Sequence, residues 1–513
     1  MGNGRAVGPA LLLLMLGFGL VGCASDVTDP DTQGPPPANP PPPDPPGGPP
    51  PPAPAVTVLG VAPVSHATAA APTTSISIAF DRILDPMSVT SATFRVFGRW
   101  SGVARGAMSL ASGGTEIRFE PTVPFAAGEF VTVTVAGSIQ LDDGTPLGRG
   151  YAWSFWTAAS PGTLDQTAIG TRAIRRSGEG LVQSYGAYAG DIDEDGDSDL
   201  VIPNEVANDI RVFLNESGDY GPFTVYPIPG GSRPSTNEGE DFDGDGDIDF
   251  ATGNTTGQSV SVFDGAGDGT FSFVGNVPAA EQVRGLCVLD FDGDGDQDIA
   301  TANRVGPGTG NVSLLRNDGG LFSSAGAMEA GGVGETSCAA GDANEDGVVD
   351  LFIGNLSSLT VSVLLGDGEG GFEAAGVFNA GGGPWMLAAG DMNGDGHIDV
   401  ASANANQNSV AILMGTGDGG LLPARTFPVG QFPLAVDLGD LDGDQDLDVV
   451  VSNFATADWT IYENNGSGVL SGARTFPALG AGSCAILHDR DGDGDLDITG
   501  IDELEDLIFL FEN

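Results

Sequence analysis

From residue 162 onward, apolar residues come in short runs with no sustained helical period. Runs such as Val260-Ser261-Val262-Phe263 and Val361-Ser362-Val363-Leu364-Leu365 have the length and composition of β-strands. Glycine and aspartate turns bound them, and an aromatic residue often starts the next strand: Phe223, Phe271, Phe322 and Phe372. One apolar position recurs on a fixed period, at Leu200, Phe250, Ile299, Leu351, Val400, Val449 and Ile498. Four residues after each stands Asn204, Asn254, Asn303, Asn355, Asn404 or Asn453, with Asp502 in the last unit. These are turn residues that close a short strand. The spacing predicts four short strands per unit of about 49 residues, the size of one propeller blade. Upstream, Ser75-Ile76-Ser77-Ile78-Ala79-Phe80 and Phe130-Val131-Thr132-Val133-Thr134-Val135 alternate as half-buried strands do, which sets residues 56–158 apart as a second all-β unit.

Before each recurrent apolar position lies an acidic loop of the form D-x-[DN]-x-D-[GQ]-x-x-D. The first aspartates are Asp191, Asp241, Asp290, Asp342, Asp391, Asp440 and Asp489, at gaps of 50, 49, 52, 49, 49 and 49 residues. Calcium takes six to eight oxygens at about 2.3–2.6 Å from carboxylates, amide oxygens and backbone carbonyls. Positions one, three, five, seven and nine supply such a set. The candidate ligands are Asp191, Asp193, Asp195, Asp197 and Asp199 in the first loop and Asp241, Asp243, Asp245, Asp247 and Asp249 in the second. The third offers Asp290, Asp292, Asp294, Asp296 and Asp298, and the fourth Asp342, Asn344, Asp346, Val348 and Asp350. In the fifth they are Asp391, Asn393, Asp395, His397 and Asp399, in the sixth Asp440, Asp442, Asp444, Asp446 and Asp448. The seventh brings Asp489, Asp491, Asp493, Asp495 and Asp497. Position seven contributes its carbonyl, so Val348 and His397 are admissible there. Position six bends the backbone and is glycine in six loops. Gln445 takes its place in the sixth, which makes that loop the one in doubt.

An EF-hand needs a bidentate glutamate at position twelve. Here that position holds Ile202, Thr252, Thr301, Ile353, Ser402, Val451 and Gly500, so EF-hand and dockerin loops do not fit. The last unit ends after Leu507-Ile508-Phe509-Leu510-Phe511 and lacks a strand. Gly162-Thr163-Leu164 resembles the strand start Gly269-Thr270-Phe271, so residues 162–190 are expected to complete the seventh unit and remove an exposed edge.

On these residues, 162–513 resembles the FG-GAP/VCBS repeats of integrin α-subunit heads and bacterial surface proteins. The resemblance implies a seven-bladed β-propeller with a calcium loop between the first two strands of each blade, and partners on the opposite face. Phe80-Asp81, Leu84-Asp85-Pro86, Phe119-Glu120-Pro121, Gly128, Asp143-Gly144 and Trp153-Ser154-Phe155 make residues 56–158 similar to a bacterial Ig-like domain, a β-sandwich whose usual role is that of a spacer.

Arg5 precedes an apolar run, Leu11 to Leu20, too short to span a bilayer but suited to a signal peptide. Leu20-Val21-Gly22-Cys23 resembles a lipoprotein signal, which implies a signal peptide over 1–22, lipidation of Cys23, and display on the outer membrane or cell surface. Residues 23–55 read as a proline-rich, disordered stalk; about 20 residues in polyproline II reach roughly 60 Å.

Net charge changes the picture of partners. Seventy acidic residues face 18 basic ones, for −52 overall. The loops hold 31 aspartates at candidate ligand positions, and seven calcium ions would leave about −38. Such a surface repels nucleic acid and anionic lipid, so the membrane is reached through the lipid anchor only. Cys287, Cys338 and Cys484 read as buried thiols in preference to a disulfide framework, with one pair left open. Three histidines (His66, His397 and His488) and no nucleophile elbow give no catalytic constellation, and no enzyme is expected. The expected protein is a monomeric, lipid-anchored, calcium-binding adhesion or interaction protein that binds a surface protein or glycan. A polysaccharide-active enzyme and a structural envelope protein are the alternatives. Arg233, Trp385 and Phe432, ahead of first strands, could line a binding face, although turn packing is the simpler reading.

Overall fold

The computed structural model describes residues 56–306 and 310–513. The signal peptide, Cys23 and the proline-rich stalk lie outside the described residues. Among the described residues every regular element is a β-strand, and none is a helix.

The N-terminal unit is a sandwich of two four-stranded sheets. One orders Val58–Ala62, Ile76–Phe80, Glu116–Pro121 and Gly106–Ala111; the other Gly102–Val103, Phe94–Gly98, Phe130–Val135 and Tyr151–Trp156. Their facing residues make one core in which Ile76, Ile78, Ile117, Val131 and Phe155 are fully buried. Strand Ile76–Phe80 buries every second residue, as its alternation requires.

Seven further four-stranded sheets follow. The second shows the plan: Pro234–Glu240, Asp249–Asn254, Ser259–Gly265 and Phe271–Pro278 run antiparallel in sequence order. Each second strand begins at the ninth loop residue, ends at the recurrent Asn or Asp, and is buried throughout. Fourth strands, such as Ser323–Met328, face solvent. The first strands pack in succession, from Tyr188–Gly190 through Pro234–Glu240, Val283–Leu289, Glu335–Gly341, Pro384–Gly390 and Pro433–Gly439 to Gly482–His488, which touches Tyr188–Gly190 again. The last sheet is assembled from both ends of this region. Gly482–His488, Asp497–Asp502 and Leu507–Glu512 take Thr167–Ala173 as their fourth strand, with Phe509 opposite Thr171.

Buried Arg211 holds the segment that leaves Thr167–Ala173. Arg211, 1% exposed, reaches Glu179 at 2.7 Å, Asp209 at 3.2 Å and the Ile174 carbonyl at 2.5 Å. The Arg211 guanidinium pulls Glu179 down to about 2. Removing Arg211 leaves buried Asp209 uncompensated, and breaking a buried pair costs about 3–5 kcal/mol. Arg211→Ala should therefore destabilise the protein by that amount in chemical denaturation, and a cost under about 1 kcal/mol would rule out this role.

The sandwich is not a spacer held clear of the repeats. Backbone N–H groups of Asp191, Gly137, Ala152 and Ser160 donate to the carbonyls of Trp100, Gly293, Gly347 and Gly494, at 2.7–2.8 Å. Trp100, Phe97 and Trp156 are buried in clusters with Leu496, Ile248 and Leu447, the eighth residues of three acidic loops. The reason is local: those loops present an apolar residue between aspartates, and the sandwich presents aromatic rings to it. Cys287 and Cys338 on consecutive first strands form a disulfide, with Cα atoms 5.7 Å apart, which corrects the expectation of thiols; Cys484 is a buried free thiol.

Candidate functional site

The seven acidic loops join first to second strands and share one backbone course. Position six has positive φ in all of them, from 78° at Gln445 to 102° at Gly246. Its N–H donates to the first aspartate in six loops, at 2.7–3.1 Å. Gln445 does so at 3.0 Å, so the loop in doubt keeps its shape despite the substitution. Position four also has positive φ everywhere, at Glu194, Glu345 and five glycines. The sequence carries that signal as a second recurrent glycine, Gly244, Gly293, Gly394, Gly443 and Gly492.

The ninth aspartate does more than close the loop. In six repeats its two oxygens accept one N–H from loop position two and one from the end of the third strand. Asp249 takes Phe242 at 2.8 Å and Gly265 at 2.7 Å; Asp298 takes Phe291 at 3.1 Å and Asn317 at 2.7 Å. In the seventh, Asp497 accepts from Asn513 at 3.0 Å and pairs with buried Arg490 at 3.2 Å. Burial pushes the ninth carboxyl up, to about 7 at Asp350, Asp399 and Asp497, about 8 at Asp199, Asp249 and Asp448, and about 9 at Asp298. A divalent cation would relieve that penalty as a proton does.

At least four loops draw three carboxylates together, with one oxygen from each within 4.8 Å: Asp191, Asp193 and Asp199; Asp241, Asp243 and Asp249; Asp290, Asp292 and Asp294; Asp440, Asp442 and Asp448. Their chemistry fits a hard oxygen-seeking cation. Asp264, on the third strand, joins Asp243 and Asp245 in a further group that the loop pattern could not reveal. Its counterpart in the next sheet is Arg316, which pairs with Asp292 at 2.9 Å and Asp294 at 3.0 Å. The same third-strand position thus adds a carboxylate to one loop and a competing cation to another. Arginines of the sandwich also reach the loops. Arg95 pairs with Asp241 at 2.9 Å and lies 3.8 Å from Asp296; Arg149 pairs with Asp346 at 2.8 Å.

Two aspartates of one loop differ in how much of the scaffold they also hold. Asp245 accepts only the local N–H of Asp247, whereas Asp249 satisfies two buried backbone donors. Asp249→Ala should destabilise by about 2–6 kcal/mol even in chelator, since each of the two orphaned donors costs about 1–3 kcal/mol. Asp245→Ala should matter only when calcium is present. Equal melting losses for the two variants in chelator would contradict this division.

Trp385 and Phe432, at the starts of neighbouring first strands, are in contact, with ring centroids 5.6 Å apart, and Phe454 lies 6.3 Å from Phe432. Arg233 pairs with buried Glu205, which Arg284 also approaches at 3.4 Å. The three residues singled out in the sequence therefore do not act alone in their turns. His397 contacts Glu345, His488 is buried between Ser198 and Thr499, and His66 is buried in the sandwich.

Repeated acidic loops joining first to second strands, behind an N-terminal sandwich, define an all-β repeat protein. The chain belongs to the FG-GAP-like repeat family, matched over residues 191–252, 241–301, 290–353, 342–402, 391–451 and 440–499, and residues 52–157 match a bacterial Ig-like domain. Similar solved structures include BBS1N in complex with ARL6DN, at 10% identity and TM-score 0.48, covering 67% of this chain and 96% of that one. An Agrocybe aegerita lectin that recognises non-reducing terminal N-acetylglucosamine aligns at 15% identity and TM-score 0.44, over 84% and 98% of the two chains. A protein from Lactobacillus plantarum aligns at 16% and 0.44, over 76% and 98%. No curated protein matches the chain.

Proposed function

We propose that this is a calcium-stabilised interaction protein of a bacterial cell surface, lipid-anchored at Cys23, whose seven sheets are the blades of a closed propeller. Closure is supported by the contact between Gly482–His488 and Tyr188–Gly190 and by the fourth strand that Thr167–Ala173 lends to the last sheet. Calcium, up to seven ions, suits the oxygen-only donor sets of the loops. The observation that carries the interaction reading is the division of the repeat region into two faces. The sandwich covers loops on one side, while Trp385, Phe432 and Phe454 gather at the far ends of the first strands. A partner, protein or glycan, binds at that far side. Surface pull-down and glycan-array binding with the purified protein should find a partner that Trp385→Ala loses. Cleavage of a polysaccharide without any stable partner would replace this reading with an enzymatic one.

A further inference from the structure

The seven loops differ in what the third strand sets beside them. In each sheet one third-strand residue stands opposite the recurrent apolar position, as Phe213 does to Leu200, Phe263 to Phe250 and Leu315 to Ile299. The residue after it is Leu214, Leu365 or Met414 in three sheets and a carboxylate, Asp264, Glu463 or Glu512, in three more. In the third sheet it is Arg316.

Asp264 and Arg316 engage the same two loop positions. Asp264 gathers with Asp243 and Asp245, positions three and five of the second loop. Arg316 pairs with Asp292 at 2.9 Å and Asp294 at 3.0 Å, positions three and five of the third. Among the described residues no other arginine pairs with two candidate ligands of one loop. Arg149 and Arg490 hold one each, and Arg95 divides between the second loop and the third.

The guanidinium does not use up the third site. Asp290, Asp292 and Asp294 still bring one oxygen each within 4.8 Å of one another. The Asp292 side chain is 8% exposed; its Oδ2 faces Arg316, and its Oδ1 is buried without a hydrogen-bond partner. A buried acceptor left unpaired is costly, and a hard cation would satisfy it. Half of the Arg316 side chain is exposed, so water can receive the guanidinium when an ion displaces it.

Resting on the calcium reading above, we infer that Arg316 is a built-in competitor that holds the calcium affinity of the third loop below what its five aspartates alone would give. The ion must share Asp292 and Asp294 with a neighbouring positive charge or push that charge into solvent. Either way affinity is lost. Groups that touch metal ligands change metal affinity by about 10- to 100-fold, and here the group opposes the metal, so its removal should raise affinity by that factor.

The test is calcium titration of the purified protein, by calorimetry for affinity and native mass spectrometry for the number of ions held. Arg316→Leu installs the residue found at two equivalent positions, and a half-exposed pair adds little to stability, so this variant should fold. Its melt in chelator should match the parent's, and Arg316→Gln serves as a second neutral variant. At a free calcium level that leaves the parent short of saturation, both variants should hold about one more ion, bound about 10- to 100-fold more tightly than the parent binds it. Adding Asp292→Asn to Arg316→Leu should abolish the gain, which places it in the third loop. Unchanged affinity and ion number in both variants, or a gain that survives Asp292→Asn, overturns the inference and leaves the calcium reading standing. Calcium binding by neither parent nor variants overturns both.

Discussion

Chelating calcium from the purified protein should lower its thermal midpoint by on the order of 15 °C. A site filled at one hundred times its Kd adds about 2.7 kcal/mol. At least four loops bring three carboxylates together, so about 11 kcal/mol is at stake if four sites fill. Unfolding entropy of about 2.1 cal/mol/K per residue, taken over residues 162–513, converts that sum to the stated shift. An unchanged midpoint would sink the metal assignment. The chelated protein should also respond to pH in the reverse sense to the loaded one. Its ninth aspartates hold folded values of about 7 to 9 against roughly 4 when unfolded. A carboxyl raised on folding contributes stability below its unfolded value and loses it as pH rises through its folded value. Chelated protein should therefore melt higher at about pH 6 than at about pH 8. With calcium bound the order should invert, because ligands must be ionised to hold the metal.

What the sequence disclosed was whatever repeats or alternates. Seven loops on a near-constant period place seven first and second strands, and the unfinished last unit points to its missing strand upstream, observed as Thr167–Ala173. The covering of the loop side by the sandwich was not legible. Trp100, Trp156 and Arg95 make contacts across long sequence separations that no periodicity reports. The Cys287–Cys338 bond escaped for a similar reason: only the packing of successive first strands brings the two together. Within the loops, the pattern named the ligand set but missed what modifies it. Asp264 and Arg316 stand at equivalent third-strand positions, and their opposite charges would have shown on aligning the repeats by strand as well as by loop.

Undocking the sandwich should require only two substitutions, Trp100→Ala and Trp156→Ala. The ion pairs at this boundary are mostly too exposed to decide it: Arg105–Glu194 and Arg149–Asp346 have side chains 63%/34% and 44%/36% exposed, and such pairs contribute about 0–1 kcal/mol. Truncating a buried tryptophan costs about 3–5 kcal/mol. Trp100 is 3% and Trp156 5% exposed, and both pack with residues of the repeat region outside the sandwich's own core. The double variant should therefore release the sandwich while each part stays folded. Limited proteolysis should then cut the connecting stretch 157–161 and yield two resistant fragments where the parent protein gives one. An uncut double variant would mean that the backbone hydrogen bonds and Arg95 hold the two parts together without the rings.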